Sequence, residues 1–278
     1  MYLGSTMHDR ITILTFALLI WAASPLMAQR EGINTQPLDS LKLFQDQPAK
    51  VFELERFVGY DTYGALYGIT QNTLFKSAEN GEFEFQELML GPISSVDIQN
   101  PLTVLIFYRE TNTVVFLDNR LNEKRRIDFN QIDAFPTIQW VFNAGSNRLW
   151  LMDQNSQTLW VYDTQNNRPL FQSQPITDLI NLKCRFNDCM AQTPGELIQI
   201  SLYGTFLKRQ PIQKGRLVDY NDKYQLIQLN NAIFDLQSKQ RLIFPEIQPE
   251  NQINGLQLRE DFLYIYVNKV VRRFALNP

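Results

Sequence analysis

Histidine is nearly missing from this sequence. The 278 residues contain one histidine, His8, and two cysteines. His8 lies in an N-terminal segment that we expect to be cleaved, so we expect the mature chain to have no histidine at all. Without it, nucleophilic catalysis by Ser-His-Asp or Cys-His sets and histidine-ligated zinc sites are excluded.

Long hydrophobic runs are also scarce, and the one clear example is at the N-terminus. Arg10 precedes an apolar run over residues 11–23, and small residues follow up to Ala28. This order is typical of a secretory signal peptide, and the run is shorter than the ~20 residues that span a bilayer. We therefore predict a signal peptide over residues 1–28. Residues 29–47 are polar and are predicted to be a linker, with at most one short helical turn.

Excess positive charge is absent as well. The formal net charge is −3, which argues against nucleic acid as the main partner. Aromatic residues make up 12% of the chain, a composition that suits many short strands with thick packing between sheets.

Short alternating runs separated by turn residues fill the rest of the chain. Residues 138–172 hold four such runs, the pattern of one antiparallel four-stranded sheet. Similar units recur about every 40 residues, the period of a propeller blade. The first strands of the six units are centred on Val58, Val96, Trp140, Ile180, Val218 and Leu256. We therefore predict an all-β, six-bladed β-propeller over residues 48–278.

The two ends of the predicted propeller complement each other. The sixth unit has three strands and ends at Pro278, whereas residues 50–55 read as a spare strand ahead of the first unit. We predict that this N-terminal strand completes the last blade, because an open ring would leave sheet edges and one blade face uncovered. The alternative is that residues 50–55 form a separate edge strand.

Several third strands end in an aromatic or aliphatic residue followed by aspartate. Examples are Val-Phe-Leu-Asp118, Trp-Val-Tyr-Asp163 and Ile-Phe-Asp235. This style of repeat resembles that of WD40-like and YVTN-like propellers over residues 50–278. The Gly-His and Trp-Asp signatures of WD40 repeats are absent. The resemblance therefore implies an architecture and carries over no functional residues.

One position of the first strand is polar in all six units, three residues after its centre. These residues are Asp61, Gln99, Asn143, Lys183, Asn221 and Arg259. Because first strands surround the channel of a propeller, we predict that this set rings one mouth of it and forms a ligand or peptide site. The alternative is a solvated channel lining without a ligand.

A second polar set suggests a different function. Asp97 and Asp219 belong to opposite units of the ring, and together with Asn181 they could hold calcium or act in acid–base chemistry. Six-bladed lactonase-like enzymes use an acidic metal site without histidine in their channel, but no spacing here matches their motif. A lactonase-like hydrolase at the channel mouth therefore rests on fold analogy. A small-ligand sensor is a third possibility.

Cys184 and Cys189 are the two cysteines. A metal site would need more ligands nearby than Asp188, and a redox pair is more often spaced C-x-x-C. In an exported chain, a disulfide that stiffens a tight hairpin is the best interpretation.

These observations predict an exported, non-catalytic module of the bacterial cell envelope, periplasmic or secreted, that binds a protein or peptide. We expect it to act as a monomer within a complex, without nucleic acid, stable membrane anchor or cofactor.

Overall fold

The structure is a computed structural model that describes residues 40–132, 137–212 and 214–276. All of these residues belong to the unit formed by residues 38–278. They form six β-sheets and one short 3-10 helix, Phe129–Gln131. Within these ranges no helix has the length and apolarity needed to cross a bilayer. The predicted signal peptide, residues 1–28, lies outside the described residues.

The six sheets are the predicted blades, and in blades 1–5 the chain runs outward from an inner first strand to the fourth strand. The first strands are Arg56–Tyr60, Ser95–Asp97, Ile138–Asn143, Asn181–Cys184, Arg216–Tyr220 and Gly255–Arg259. The second strands are Leu66–Thr70, Val104–Tyr108, Arg148–Asp153, Asp188–Gln192, Gln225–Leu229 and Phe262–Val267. The third strands are Thr73–Ala78, Thr113–Leu117, Leu159–Asp163, Glu196–Ser201, Ala232–Asp235 and Val270–Ala275. The fourth strands of blades 1–5 are Gly81–Phe85, Glu123–Asp128, Arg168–Gln172, Phe206–Pro211 and Gln240–Ile243.

The hydrophobic core lies between the blades. First strands of neighbouring blades contact each other, which places them on the inside of the ring. Trp150 illustrates the packing: it is fully buried among residues of blades 3 and 4, and its indole N–H donates to the Arg185 carbonyl at 2.8 Å. Bulky side chains such as this one fix the distance between adjacent sheets.

The N-terminal strand closes the ring, as the spare strand predicts. Lys50–Val51 pairs antiparallel with the third strand of blade 6, where Lys50 opposes Val271. The pairing continues at Phe52, whose N–H donates to the Lys269 carbonyl at 2.8 Å. The observed strand is shorter than the predicted range of residues 50–55, but it supplies the missing fourth strand of blade 6.

The residues that follow this strand fasten blade 6 to blade 1. The Tyr266 hydroxyl accepts from the Leu54 N–H at 3.1 Å and lies 2.9 Å from the Phe52 carbonyl oxygen. The Leu54 side chain rests on Gly68 in blade 1, where a Cβ atom would come within 2.5 Å of it. Closure therefore combines backbone pairing, one buried hydroxyl and the close contact of Leu54 with Gly68.

The predicted linker over residues 29–47 is wrong for its last part. Ser40–Lys42 forms a strand that pairs in parallel with Arg241–Ile243, so blade 5 has five strands. Leu41 and Leu43 pack into the core between blades 5 and 6, and Leu43 is fully buried. Three residues are too few for an alternating pattern to stand out, which is why the sequence did not reveal this strand. Residues 29–39 lie outside the described ranges.

The contacts that join blades 6 and 1 lead to a prediction about stability. Replacing Tyr266 by phenylalanine should lower the free energy of unfolding by about 1–3 kcal/mol, because the Leu54 N–H loses its acceptor in a partly buried place. Urea unfolding followed by tryptophan fluorescence measures the change. Tyr108→Phe is the matched control, because the buried Tyr108 hydroxyl has no hydrogen-bond partner among the described residues. Equal losses in both variants would contradict the role of Tyr266 in closure.

Candidate functional site

The loops that join first and second strands all leave the same end of the ring, because the six blades share one topology. We call them the mouth loops. They comprise residues 61–65, 98–103, 144–147, 185–187, 221–224 and 260–261. Since first strands are innermost, these loops surround the mouth of the channel. The six predicted site residues stand within two residues of the beginning of these loops.

Three of the six predicted residues stabilise their own loop. The side-chain oxygens of Asp61, Asn143 and Asn221 each accept the backbone N–H two residues further on, at 2.8 Å in all three cases. This local hydrogen bond is the Asx turn that aspartate and asparagine favour. Asp61 is almost fully buried, so its carboxylate faces the protein and not the channel.

The other three predicted residues act between blades. The Gln99 side-chain amide donates to the Cys184 carbonyl of blade 4 at 3.0 Å, so it reaches past blade 3. The Arg259 guanidinium donates to the backbone carbonyl of Asp61 in blade 1. Lys183 is half-buried and is close enough to Asp219 to influence the pKa of that carboxyl. The six residues therefore lie around the mouth, but most of their polar side-chain atoms form hydrogen bonds within the protein.

The alternative metal set, Asp97, Asn181 and Asp219, also serves the ring itself. Each side chain forms a hydrogen bond with the backbone of the first strand of the next blade, and Gln257 does the same from blade 6 to blade 1. The bonds are Asp97 to the Asn143 N–H at 2.8 Å, Asn181 to the Leu217 carbonyl, Asp219 to the Leu258 N–H at 2.8 Å, and Gln257 to the Tyr60 N–H at 2.7 Å. We call these contacts the inter-blade hydrogen bonds. No group of three or more histidine, cysteine, aspartate or glutamate residues in the described ranges is placed to hold a metal ion.

The sequence analysis missed the apolar side chains of the mouth loops. Tyr63, Leu102 and Phe186 are exposed by 73%, 54% and 37%. Leu102 reads in the sequence as the first residue of a strand, although the second strand begins at Val104. An aromatic residue among turn formers, as in Asp61-Thr-Tyr-Gly64, is the signal that points to such a residue.

Charge is distributed unevenly around the mouth. In blades 4–6 the mouth loops are linked by ion pairs, Arg185–Asp222 at 2.7 Å and Lys223–Asp261 at 2.8 Å. In blades 1–3 the mouth loops carry no charged residue except the buried Asp61. One half of the mouth is therefore uncharged, and it contains Tyr63 and Leu102.

The predicted disulfide is present. Cys184 and Cys189 are bonded to each other, and they stand opposite one another on the first two strands of blade 4. The loop between them carries Arg185 and Phe186. The bond therefore fixes the base of one mouth loop, in agreement with the prediction of a stiffened hairpin.

Burial changes the titration of two inter-blade carboxyls. Loss of solvent raises the pKa of Asp97, and hydrogen bonds from the Asn143 N–H and from Gln99 oppose this rise. Burial likewise raises the pKa of Asp219, opposed by the nearby Lys183. Both carboxyls are therefore harder to ionise in the folded protein than in the unfolded chain.

The raised pKa of Asp97 predicts the direction in which stability changes with pH. Because its pKa is raised on folding, the folded state holds a proton more tightly, so the contribution of Asp97 to stability falls as pH rises from its usual value of 3.8 through the raised value. Asp97→Asn should therefore gain stability relative to wild type over that window. Asp97→Ala should lose about 1–3 kcal/mol, because the Asn143 N–H is left without an acceptor.

Urea unfolding at a series of pH values from acid to neutral measures these differences. Asp163→Asn is the control with the opposite sign, since hydrogen bonds from Asn166 and Gln165 lower the pKa of Asp163. Its stability relative to wild type should fall as pH rises. If Asp97→Asn behaves like Asp163→Asn, our account of Asp97 is wrong.

No protein-family model and no curated protein matches the chain. Among solved structures, BamB from Moraxella catarrhalis is similar with a TM-score of 0.51 at 9% identity, covering 84% of this chain and 98% of that one. The Pan2 WD40 domain of Neurospora crassa is similar with a TM-score of 0.51 at 9% identity, covering 81% and 75%. BBS1N is similar with a TM-score of 0.51 at 10% identity, covering 77% and 76%. These structures share the propeller fold with this chain, which confirms the predicted WD40-like architecture.

Proposed function

We propose that this chain is an exported, non-catalytic module that binds a protein or peptide partner through its mouth loops. One observation carries the proposal: the uncharged half of the mouth presents Tyr63 and Leu102 to solvent, with Phe186 at its edge. Exposed apolar side chains that cluster on one face, rimmed by polar residues, are typical of protein interaction sites. Tyrosine is among the residues that most often contribute strongly to binding.

The charge pattern supports the same half of the mouth as the centre of the interface. Interface centres are depleted in charge, whereas rims are polar and solvated. The mouth loops of blades 1–3 meet the first condition, and the ion pairs Arg185–Asp222 and Lys223–Asp261 meet the second. We therefore propose that a partner covers blades 1–3 at the mouth and extends toward blades 4–6.

The polar ring has a supporting role in this proposal. Asp61 and Asn143 hold mouth loops in place, and Gln99 and Arg259 connect blades. Loops fixed in this way lose little conformational freedom when a partner binds, which reduces the free-energy cost of association. Lys183 is the member of the ring best placed to contact a ligand directly, since among the described residues no hydrogen bond engages its ammonium group and its side chain is half-buried.

Two further features support export to the cell envelope. The N-terminal sequence pattern is that of a signal peptide, and the disulfide Cys184–Cys189 suits an oxidising compartment. One of the similar structures, BBS1N, was solved in complex with ARL6DN, so a propeller of this kind can bind a partner. We propose the periplasm of a Gram-negative bacterium as the site of action.

Affinity capture tests the proposed interface. The tagged mature chain is incubated with envelope extract of the organism that encodes it, and bound proteins are quantified by mass spectrometry. The double variant Tyr63→Ser/Leu102→Ser should capture at least ~10-fold less of any specific partner, because truncation of central apolar anchors costs about 1–2 kcal/mol each or more.

The matched control is Leu88→Ser/Met89→Ser. These side chains are exposed by 73% and 85%, and they lie between the fourth strand of blade 1 and the first strand of blade 2, at the opposite end from the mouth loops. This variant should capture the partner as wild type does. Equal loss in both variants, or no loss in either, would contradict binding through the mouth.

Calcium separates the proposed function from the hydrolase alternative that uses Asp97, Asn181 and Asp219. Since these side chains are engaged in inter-blade hydrogen bonds, we expect millimolar calcium to leave the thermal midpoint of unfolding unchanged relative to EDTA. Differential scanning calorimetry measures the midpoint. A calcium-dependent rise that Asp219→Asn removes would favour the metal-dependent alternative.

A further inference from the structure

A crevice between blades 6 and 1 opens on the outer wall of the ring, away from the mouth. Its floor is a row of cross-strand partners in blade 1: Phe57, Gly68, Phe75 and Glu84. Leu54 covers Gly68, so the outer part of the row stays open. There a cavity of about 440 Å³ is lined by Phe75 and Glu84 on one side and by residues 51–54 on the other.

The crevice is acidic. Glu82 and Glu84 are exposed on the fourth strand of blade 1, and neither forms an ion pair within the part of the chain that the structure describes. Glu53 on the facing wall is neutralised by Lys269 at 2.8 Å. Lys50, which stands opposite Val271 in blade 6, forms no ion pair with either carboxylate among the described residues. Two carboxylates therefore remain available to a positively charged ligand.

The strand that carries these carboxylates is a sheet edge. Gly81–Phe85 pairs with the third strand of blade 1, and no other described strand pairs with its outer side. An unpaired edge of this kind can accept an extended peptide by β-strand addition. The protein itself provides the precedent, because Ser40–Lys42 adds to the corresponding outer edge of blade 5.

The two faces of this edge strand differ in chemistry. Glu82 and Glu84 lie on the crevice face, opposite Ser77 and Phe75. Phe83 and Phe85 lie on the other face, are partly exposed, and pack against the core shared with blade 2. Because side chains alternate along a strand, an added peptide would place every second residue beside the carboxylates and the others beside the phenylalanines.

We propose that this edge binds an extended peptide in which lysine or arginine alternates with apolar residues, added as a fifth strand to blade 1. The basic side chains lie in the crevice, where their methylene stems cover Phe75 and their charged ends reach Glu82 and Glu84. The apolar residues cover Phe83 and Phe85. This surface is separate from the mouth, so its test does not depend on the function proposed for the mouth loops.

A labelled hexapeptide of alternating lysine and valine is the probe, and its fluorescence anisotropy is followed at low ionic strength with the mature chain. Saturable binding is expected. Glu82→Gln/Glu84→Gln should weaken it by roughly five- to tenfold, because two partly exposed ion pairs are lost. Added salt should weaken binding to wild type more than to this variant. The absence of saturable binding up to about 1 mM peptide would overturn the proposal.

Three controls test whether the peptide binds at this edge and whether it binds by strand addition. Glu110→Gln/Glu250→Gln removes two exposed carboxylates from blade 2 and from the link between blades 5 and 6, and it should bind the probe as wild type does. The same peptide N-methylated at alternate residues should bind at least ~10-fold more weakly, since it cannot pair along the edge. Equal binding by the N-methylated peptide, or equal weakening by both double variants, would overturn strand addition at this site. A concentration-dependent dimer that excludes the peptide in light scattering would assign the edge to a second copy of the chain and overturn the proposal as well.

Discussion

A propeller holds together only if each sheet is bound to the next, and here the side chains of the first strands make that connection. Asp97, Asn181, Asp219 and Gln257 each form a hydrogen bond with the backbone of the following blade. At the junction of blades 6 and 1, the contact also restricts which residue the backbone can carry at position 59. Gly59 has φ +145°, and a Cβ atom there would lie 2.5 Å from the Gln257 side chain, so only glycine leaves room for this contact.

This constraint explains why the first strands carry polar side chains along the channel. Asp97 and Asp219 accept backbone N–H groups of the next blade, and the Asn181 amide donates to a backbone carbonyl, so all three side chains help to hold neighbouring blades together. The polar positions along the first strands are therefore a property of the ring. What remains for a partner is the outer surface of the mouth loops, where the inter-blade contacts have already fixed the backbone and where Tyr63 and Leu102 face solvent.

The repeat was readable from sequence because its signals are local. Alternation and turn residues gave the six blades, and the spare strand at Lys50 gave the closure. Asp118, Asp163 and Asp235, noted only as the ends of third strands, are equally local: each accepts the N–H two residues on and so begins the turn to the fourth strand. The partners of Asp97 and Asp219, in contrast, are 46 and 39 residues away, and no pattern around either carboxyl identifies them. The strand Ser40–Lys42 was missed because it is too short to show alternation, and its partner in blade 5 is also far away in the sequence.

The way the ring is closed also has a consequence for how the chain folds. The strand at Lys50–Val51 finds its partner only in Val270–Ala275, which is synthesised after the other five blades. Until the sixth blade is made, the edge of blade 1 that faces it and residues 50–54 have no native neighbour, although the first five sheets can already form. Such long-range pairing makes folding slow and exposes strand edges to aggregation. A chaperone that shields residues 50–54 during synthesis and transport would protect a segment whose native partner is made only with the sixth blade.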